Sequence, residues 1–152
     1  WDEGDPKKAF DKAISSSTKV AMSLSDKFCV DRHKPHFLDL VQNKLDIIFA
    51  NEGEIKSLIQ TSKFEDVISF GKEIKKHLIV TRGNKGAISI LNNEVFEIGI
   101  KENLKIVDLT GAGDLFAAGY LHGLINNYSI IESLDKGTEM SSKIIQKIGA
   151  RL

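Results

Sequence analysis

Leu45-Asp46-Ile47-Ile48-Phe49-Ala50 is a short, near-continuous apolar run, followed at once by the polar set Asn51-Glu52-Gly53-Glu54. A run this short and this apolar reads as a strand covered on both faces, which is the habit of parallel sheets. Toward the N-terminus, Phe37, Leu38 and Val41 make a helical face around Pro35, residues 19–24 read as a strand, and Ala9, Phe10, Ala13 and Ile14 recur on one face of a helix that opens at Pro6. Toward the C-terminus, Ile55, Leu58 and Ile59 give a helix, and Val67, Ile68, Phe70 and Ile74 give another before a strand over 78–81. Strands over 87–91 and 95–100 then flank Asn92-Asn93, a hairpin signal. A short strand at Ile106-Val107, a glycine-rich turn, a helix carrying Phe116, Tyr120, Leu121 and Leu124, and a last helix over 130–147 complete the chain. Strand and helix alternate throughout, with one late β-hairpin. The expectation is an α/β protein whose mainly parallel sheet has helices on both faces.

The 152 residues carry 21 Lys plus Arg against 21 Asp plus Glu, so no global charge points to nucleic acid or to an anionic membrane. Small molecules are the expected partners. No stretch approaches the ~20 apolar residues that span a bilayer, and Trp1-Asp2-Glu3-Gly4-Asp5-Pro6 does not read as a signal peptide. The lone Cys29 excludes an internal disulfide and suits a reducing, cytoplasmic setting. His33, His36, His77 and His122 share no metal spacing and read as surface or packing residues. Gly119-x-x-x-Gly123 reads as close helix packing. Because the chain opens on Trp and stops after Gly149-Ala150-Arg151-Leu152, both ends are expected to be cut from something longer.

Open α/β sheets gather ligands at the carboxyl ends of their strands, and three polar segments occupy such places. They are Asn51 to Glu54, Thr81-Arg82-Gly83-Asn84-Lys85-Gly86, and Asp108-Leu109-Thr110-Gly111-Ala112-Gly113-Asp114. In the third, a Gly-Ala-Gly turn opening a helix would expose backbone N–H groups at the positive end of the helix dipole, which suits an anion. Asp114 beside such an anion could take a proton from an attacking hydroxyl. Two readings fit equally: this one, and a plain tight turn with Asp114 as helix cap. Asn51 and Glu54, taken alone, read as a capping pair at a helix start. Arg82, taken alone after a strand, reads as a solvated surface charge.

Asp108 to Phe116 resembles the C-terminal signature Asp-Thr-x-Gly-Ala-Gly-Asp-x-Phe of the ribokinase-like (PfkB-type) carbohydrate kinases, with Leu109 where Thr is usual. Asn51-x-x-Glu54 and Thr81-x-Gly83-x-x-Gly86 resemble two further elements of that family, in the same order. The resemblance covers residues 1–152 but only the latter half of a family member, the ATP-binding and catalytic part of a three-layer α/β/α sandwich. It implies an ATP-dependent kinase acting on a hydroxyl of a small sugar or nucleoside, with Asp114 as base and the N–H groups of Gly111, Ala112 and Gly113 steadying the transferred phosphoryl. Asn51 and Glu54 would place phosphates and Mg²⁺, the latter through water. Thr81, Arg82, Gly83 and Gly86, with Asp108 and Thr110, would lie along ATP. The last helix and Gly149-Ala150-Arg151 would either wall the adenine pocket or, with the Asp108 loop, help hold a monovalent cation such as K⁺. Ser23-Leu24-Ser25-Asp26-Lys27-Phe28 is similar to the Leu-Ser-x-x-Phe stretch of adenosine kinases. Substrate specificity in the family resides largely in the missing N-terminal half, so the chain alone is expected to be weak or inactive and to invite self-association through uncovered surface. A non-catalytic nucleotide-binding domain of the same fold is the competing class. A dinucleotide-dependent oxidoreductase is disfavoured, since no Gly-x-Gly-x-x-Gly follows the first strand.

Overall fold

The computed structural model describes residues 6–152, so the opening Trp1 to Asp5 stretch lies outside the described residues. Among the described residues seven α-helices and five strands follow one another: α1 (Pro6–Ser15), β1 (Ala21–Ser23), α2 (Lys27–Arg32), α3 (Lys34–Asp39), β2 (Ile47–Asn51), α4 (Glu52–Leu58), α5 (Phe64–Glu73), β3 (His77–Thr81), β4 (Ala87–Leu91), β5 (Glu94–Ile98), α6 (Ala112–Ile125) and α7 (Ile130–Ile144). The strands form one sheet in the order β1-β2-β3-β4-β5. It is mostly parallel. β1 and β2 run parallel with Ala21, Met22 and Ser23 opposite Ile47, Ile48 and Phe49. His77 N–H, at the start of β3, donates to Asp46 O just before β2, so these strands also start from one edge. Only β4 runs back, because the five residues between β3 and β4 are too few for a crossover. β5 returns through Asn92 and Asn93, both with positive φ (51° and 68°), the conformation a two-residue hairpin needs.

The described chain divides into two compact units, residues up to 79 with 90–94, and 80–89 with 95–152. In the first, β2 is buried from Ile47 to Ala50 as its composition requires, and Phe37, Leu40, Leu45, Ile55 and Leu58 are buried as well. Each such aliphatic side chain contributes roughly 1.5–3 kcal/mol on burial. The helix anticipated around Pro35 is here α3 followed by a π-helical turn, Leu40–Lys44, in which Leu40 and Val41 are buried. α2 had not been anticipated; its start is set by Asp26, whose carboxylate accepts the Phe28 and Cys29 N–H groups.

In the second unit α6 and α7 pack closely enough to leave no room for side chains. A Cβ on Gly119 would lie 2.6 Å from Lys136 O, and one on Gly123 would lie 2.5 Å from Ser133 Oγ. The Gly119-x-x-x-Gly123 spacing is therefore a packing device, as its sequence suggested. The Tyr120 hydroxyl and Ser89 Oγ share a buried hydrogen bond of 2.9 Å.

Three element readings need correction. The strand expected at Ile106-Val107 does not form: the N–H groups of Val107 and Asp108 both donate to one carbonyl, Ile145 O, so no ladder is built. The second hairpin strand ends at Ile98 rather than at residue 100, and the last helix ends at Ile144 rather than at residue 147. No described helix is long and apolar enough to cross a membrane.

Candidate functional site

In the first unit the candidate residues lie where β1 and β2 end. Asn51 closes β2 and caps α4: its Oδ1 accepts the Glu54 N–H at 2.8 Å while Glu54 Oε2 accepts the Asn51 N–H at 2.9 Å. Asn51 Nδ2 adds a third bond, donating to Glu54 Oε1 at 2.6 Å. The pair is therefore a capping box, which explains its spacing on structural grounds alone. Glu54 is nonetheless only 5% exposed, and burial pushes its carboxyl upward in pKa, against the lowering bond from Asn51 and with the nearby negative Asp26. Asp26 is a residue the sequence reading had not singled out for the site. Its signal was local: an Asp just after a strand, at the N-cap of a helix. Phe28, two residues on, is 77% exposed.

The second unit holds the other two segments. Thr81 ends β3, and the turn after it is closed by Arg82 N–H donating to Gly86 O at 2.8 Å. Gly83 and Gly86 have φ of +58° and +84°. At Gly86 glycine is required twice over, since a Cβ would also fall 1.9 Å from Ile98 O. Arg82 Nη1 stands 3.5 Å from Glu97 Oε1, an ion pair that draws the guanidinium toward β5.

Asp108 organises the third segment. Its Oδ1 accepts the Thr110 N–H at 2.9 Å and the Thr110 hydroxyl at 2.7 Å, while its Oδ2 accepts the Gly149 N–H at 2.9 Å. These bonds, the Thr110 N–H first, hold its carboxyl below the usual pKa. Gly111, not Asp114, is the N-cap of α6, in the left-handed region at φ +79°. The capping alternative for Asp114 is thereby removed: it lies in the first turn and is exposed. Ala112 N–H donates to Leu109 O at 3.2 Å. The Gly113 and Asp114 N–H groups, as second and third residues of the helix, have no carbonyl behind them. A Cβ at Gly113 would meet nothing within 4 Å, so the space beside these donors is open.

Among the described residues no group of three or more His, Cys, Asp or Glu side chains could hold a metal by itself. Mg²⁺ usually takes one or two carboxylates and completes its shell with water and phosphate oxygens. Each Glu54 oxygen spends one acceptor site on Asn51 and keeps another, so a hydrated cation fits there.

The pfkB family carbohydrate kinase model matches residues 4–152. The chain belongs to the pfkB family of carbohydrate kinases. It is 36% identical over 107 residues to the ribokinase of Lactococcus lactis, a match covering 70% of this chain and 34% of that protein. It superposes on the adenosine kinase of Sinorhizobium meliloti with a TM-score of 0.94 at 33% identity, covering 100% of this chain and 48% of that one. A fructokinase of Vibrio cholerae, solved with fructose, ADP and calcium, shares the fold at a TM-score of 0.83 and 21% identity, with 95% and 51% covered. The chain thus spans about a third to a half of the length of these relatives.

Proposed function

We propose that this chain is the ATP-handling, catalytic part of a ribokinase-type kinase that moves the γ-phosphoryl group of ATP to a hydroxyl of a small nucleoside or sugar. The observation that carries the reading is Asp114, an exposed carboxylate in the first turn of α6 beside the unpartnered N–H groups of that turn. A binding module has no need of a base there. Asp114 takes the proton of the attacking hydroxyl, the new O–P bond forms, the bond from the γ-phosphorus to its bridging oxygen breaks, and ADP departs. The N–H groups of Gly113 and Asp114, with those of Gly111 and Ala112, stabilise the charge that develops on the transferred group. For Ala112 this requires its long bond to Leu109 O to open.

The resemblance assigns Thr81, Arg82, Gly83, Gly86 and Thr110 to ATP, and Asn51 and Glu54 to phosphates and Mg²⁺. The metal supplies charge neutralisation of the phosphates; Glu54 would hold it through water. Asp108, bonded to Gly149, supports the reading that a monovalent cation is held by these two loops, since Oδ2 keeps a second acceptor site. Between acceptors, adenosine is favoured. Phe28 is an aromatic ring left exposed just past β1, which suits stacking on a nucleobase. Self-association is proposed through the edge of β1, a three-residue strand at the end of the sheet order whose Ala21 and Ser23 are exposed.

The test is ATP-dependent phosphorylation by the full-length protein across adenosine and a panel of sugars, with Asp114→Asn in parallel. Turnover should fall by about 10²–10⁴ in the variant while ATP binding persists. An unimpaired variant, or no hydroxyl acceptor at all, returns the protein to the class of non-catalytic nucleotide-binding domains.

A further inference from the structure

Helix α6 carries Asp114 in its first turn, yet little in its composition fixes where the helix lies along its own axis. Of its fourteen residues only Asp114, Tyr120 and His122 have polar side chains, and of these only Tyr120 is buried. Apolar contact is non-directional, so it tolerates small slides of a helix over a sheet. Gly119 and Gly123 seat α6 against α7, and Gly137 of α7 returns the fit, since a Cβ there would lie 2.8 Å from Phe116 O. These contacts join the two helices to each other; they do not tie the pair to a strand. The bond of 2.9 Å between the Tyr120 hydroxyl and Ser89 Oγ does, with both residues at 0% exposure. The Phe116 ring stacks on Tyr120, centroids 6.3 Å apart and planes at 20°, and steadies the phenol.

Each partner stands a short way from one segment of the candidate site. Tyr120 is six residues past Asp114, roughly 9 Å along a helix, and Ser89 is three residues past Gly86, roughly 10 Å along a strand. Gly86 is in turn pressed against the end of β5, where a Cβ would fall 1.9 Å from Ile98 O, so the start of β4 is held in place. We propose that Tyr120 and Ser89 are positioning residues whose bond sets the register of α6 against β4, and so the separation between Asp114 and the turn from Gly83 to Gly86. On the kinase reading above, on which this rests, Asp114 takes the acceptor's proton and that turn lies along ATP. Misplacing a reacting group by about 1 Å costs on the order of 100-fold in rate, while binding of ATP in the ground state is far less demanding of position. Neither hydroxyl reaches solvent, so both act through the elements they join.

The experiment takes the full-length protein with Tyr120→Phe, Ser89→Ala and the two combined, beside Asp114→Asn. All three register variants should lower kcat by about tenfold with KM for ATP within about threefold. The double variant should be no slower than the slower single one, because all three lose the same link. It also removes the bond whole rather than by half, which keeps the test open if a single variant fails to fold. Its urea midpoint should return toward that of the wild type while its kcat does not. Unchanged kcat in the double variant, or kcat that returns together with stability, reduces the bond to packing and overturns the register role; so does a rise in KM for ATP at unchanged kcat. Amide hydrogen exchange across residues 115–121 should quicken in the double variant, and this separates the two ideas. Quickened exchange with Asp114→Asn unimpaired sinks the kinase reading and leaves the register standing, whereas unchanged exchange with Asp114→Asn impaired sinks the register alone.

Discussion

His77, the first residue of β3, is 7% exposed, and burial lowers its imidazole to a pKa of about 4, with the positive Lys19 adding to the effect. The unfolded chain takes up this proton near pH 6.5, whereas the folded one resists it until about pH 4. Between those values the unfolded state binds more protons, so stability is full above pH 6.5 and declines as pH falls toward 4. The loss is at most roughly 3 kcal/mol. Acid unfolding followed by circular dichroism should show this slope in the wild type and a flatter profile in His77→Phe; equal slopes in the two would refute it. Site residues differ in how far sequence alone discloses them. Asn51 and Glu54 were legible as a spaced pair, yet the same spacing serves a capping box, and only burial of Glu54 distinguishes it from an ordinary surface cap. Asp26 was not legible as a neighbour of Glu54, because their approach depends on β1 lying beside β2 in a particular register. The Asp108 to Gly149 bond spans 41 positions; no local pattern marks its partner, and it was the family resemblance alone that brought the two loops together.

Close helix packing makes the α6–α7 pair sensitive to single methyl groups. Gly119→Ala would press a Cβ against Lys136 O at 2.6 Å and Gly137 Cα at 2.9 Å, both backbone atoms that cannot swing away. The expected destabilisation is about 1–3 kcal/mol. Gly71→Ala is the instructive contrast: its closest contact, also 2.6 Å, is Ile90 Cδ1, the mobile end of a side chain, so its cost should be smaller. Urea denaturation of the two variants checks the order, and a larger loss at Gly71 would show that backbone rigidity is not what matters. At this scale the chain was well disclosed by its sequence wherever periodicity was strong. α5, α6, β2 and β4 lie where apolar spacing put them. The strand expected at Ile106-Val107 failed because a short β-branched pair reads as a strand from composition, while strand formation needs a neighbour with free ladder positions. Here one carbonyl, Ile145 O, takes both N–H groups and ends the matter. The α2 helix was missed for the opposite reason: six residues carry too little periodicity, and its start rests on the Asp26 cap.

For the whole molecule the decisive quantity is length. The chain spans 34% of the L. lactis ribokinase and 48% of the S. meliloti adenosine kinase, while matching the family over nearly all of itself. The motifs it resembles are those proposed above for ATP and for the base, and most of the acceptor site is proposed to lie in the part of such a kinase that this chain does not span. Phosphoryl transfer draws much of its rate from holding the two reactants in line, and a missing acceptor site forfeits that share even when every donor and the base are in place. The 152-residue chain is therefore expected to bind ATP and yet turn over at least ~100-fold more slowly than the full-length protein at equal adenosine. Calorimetric titration with ATP, alongside a coupled assay for ADP release, measures both quantities on one preparation. Turnover equal to that of the full-length protein would place the acceptor site within these residues, with Phe28 the first position to substitute. Loss of ATP binding as well as turnover would mean that the nucleotide site needs chain beyond these residues.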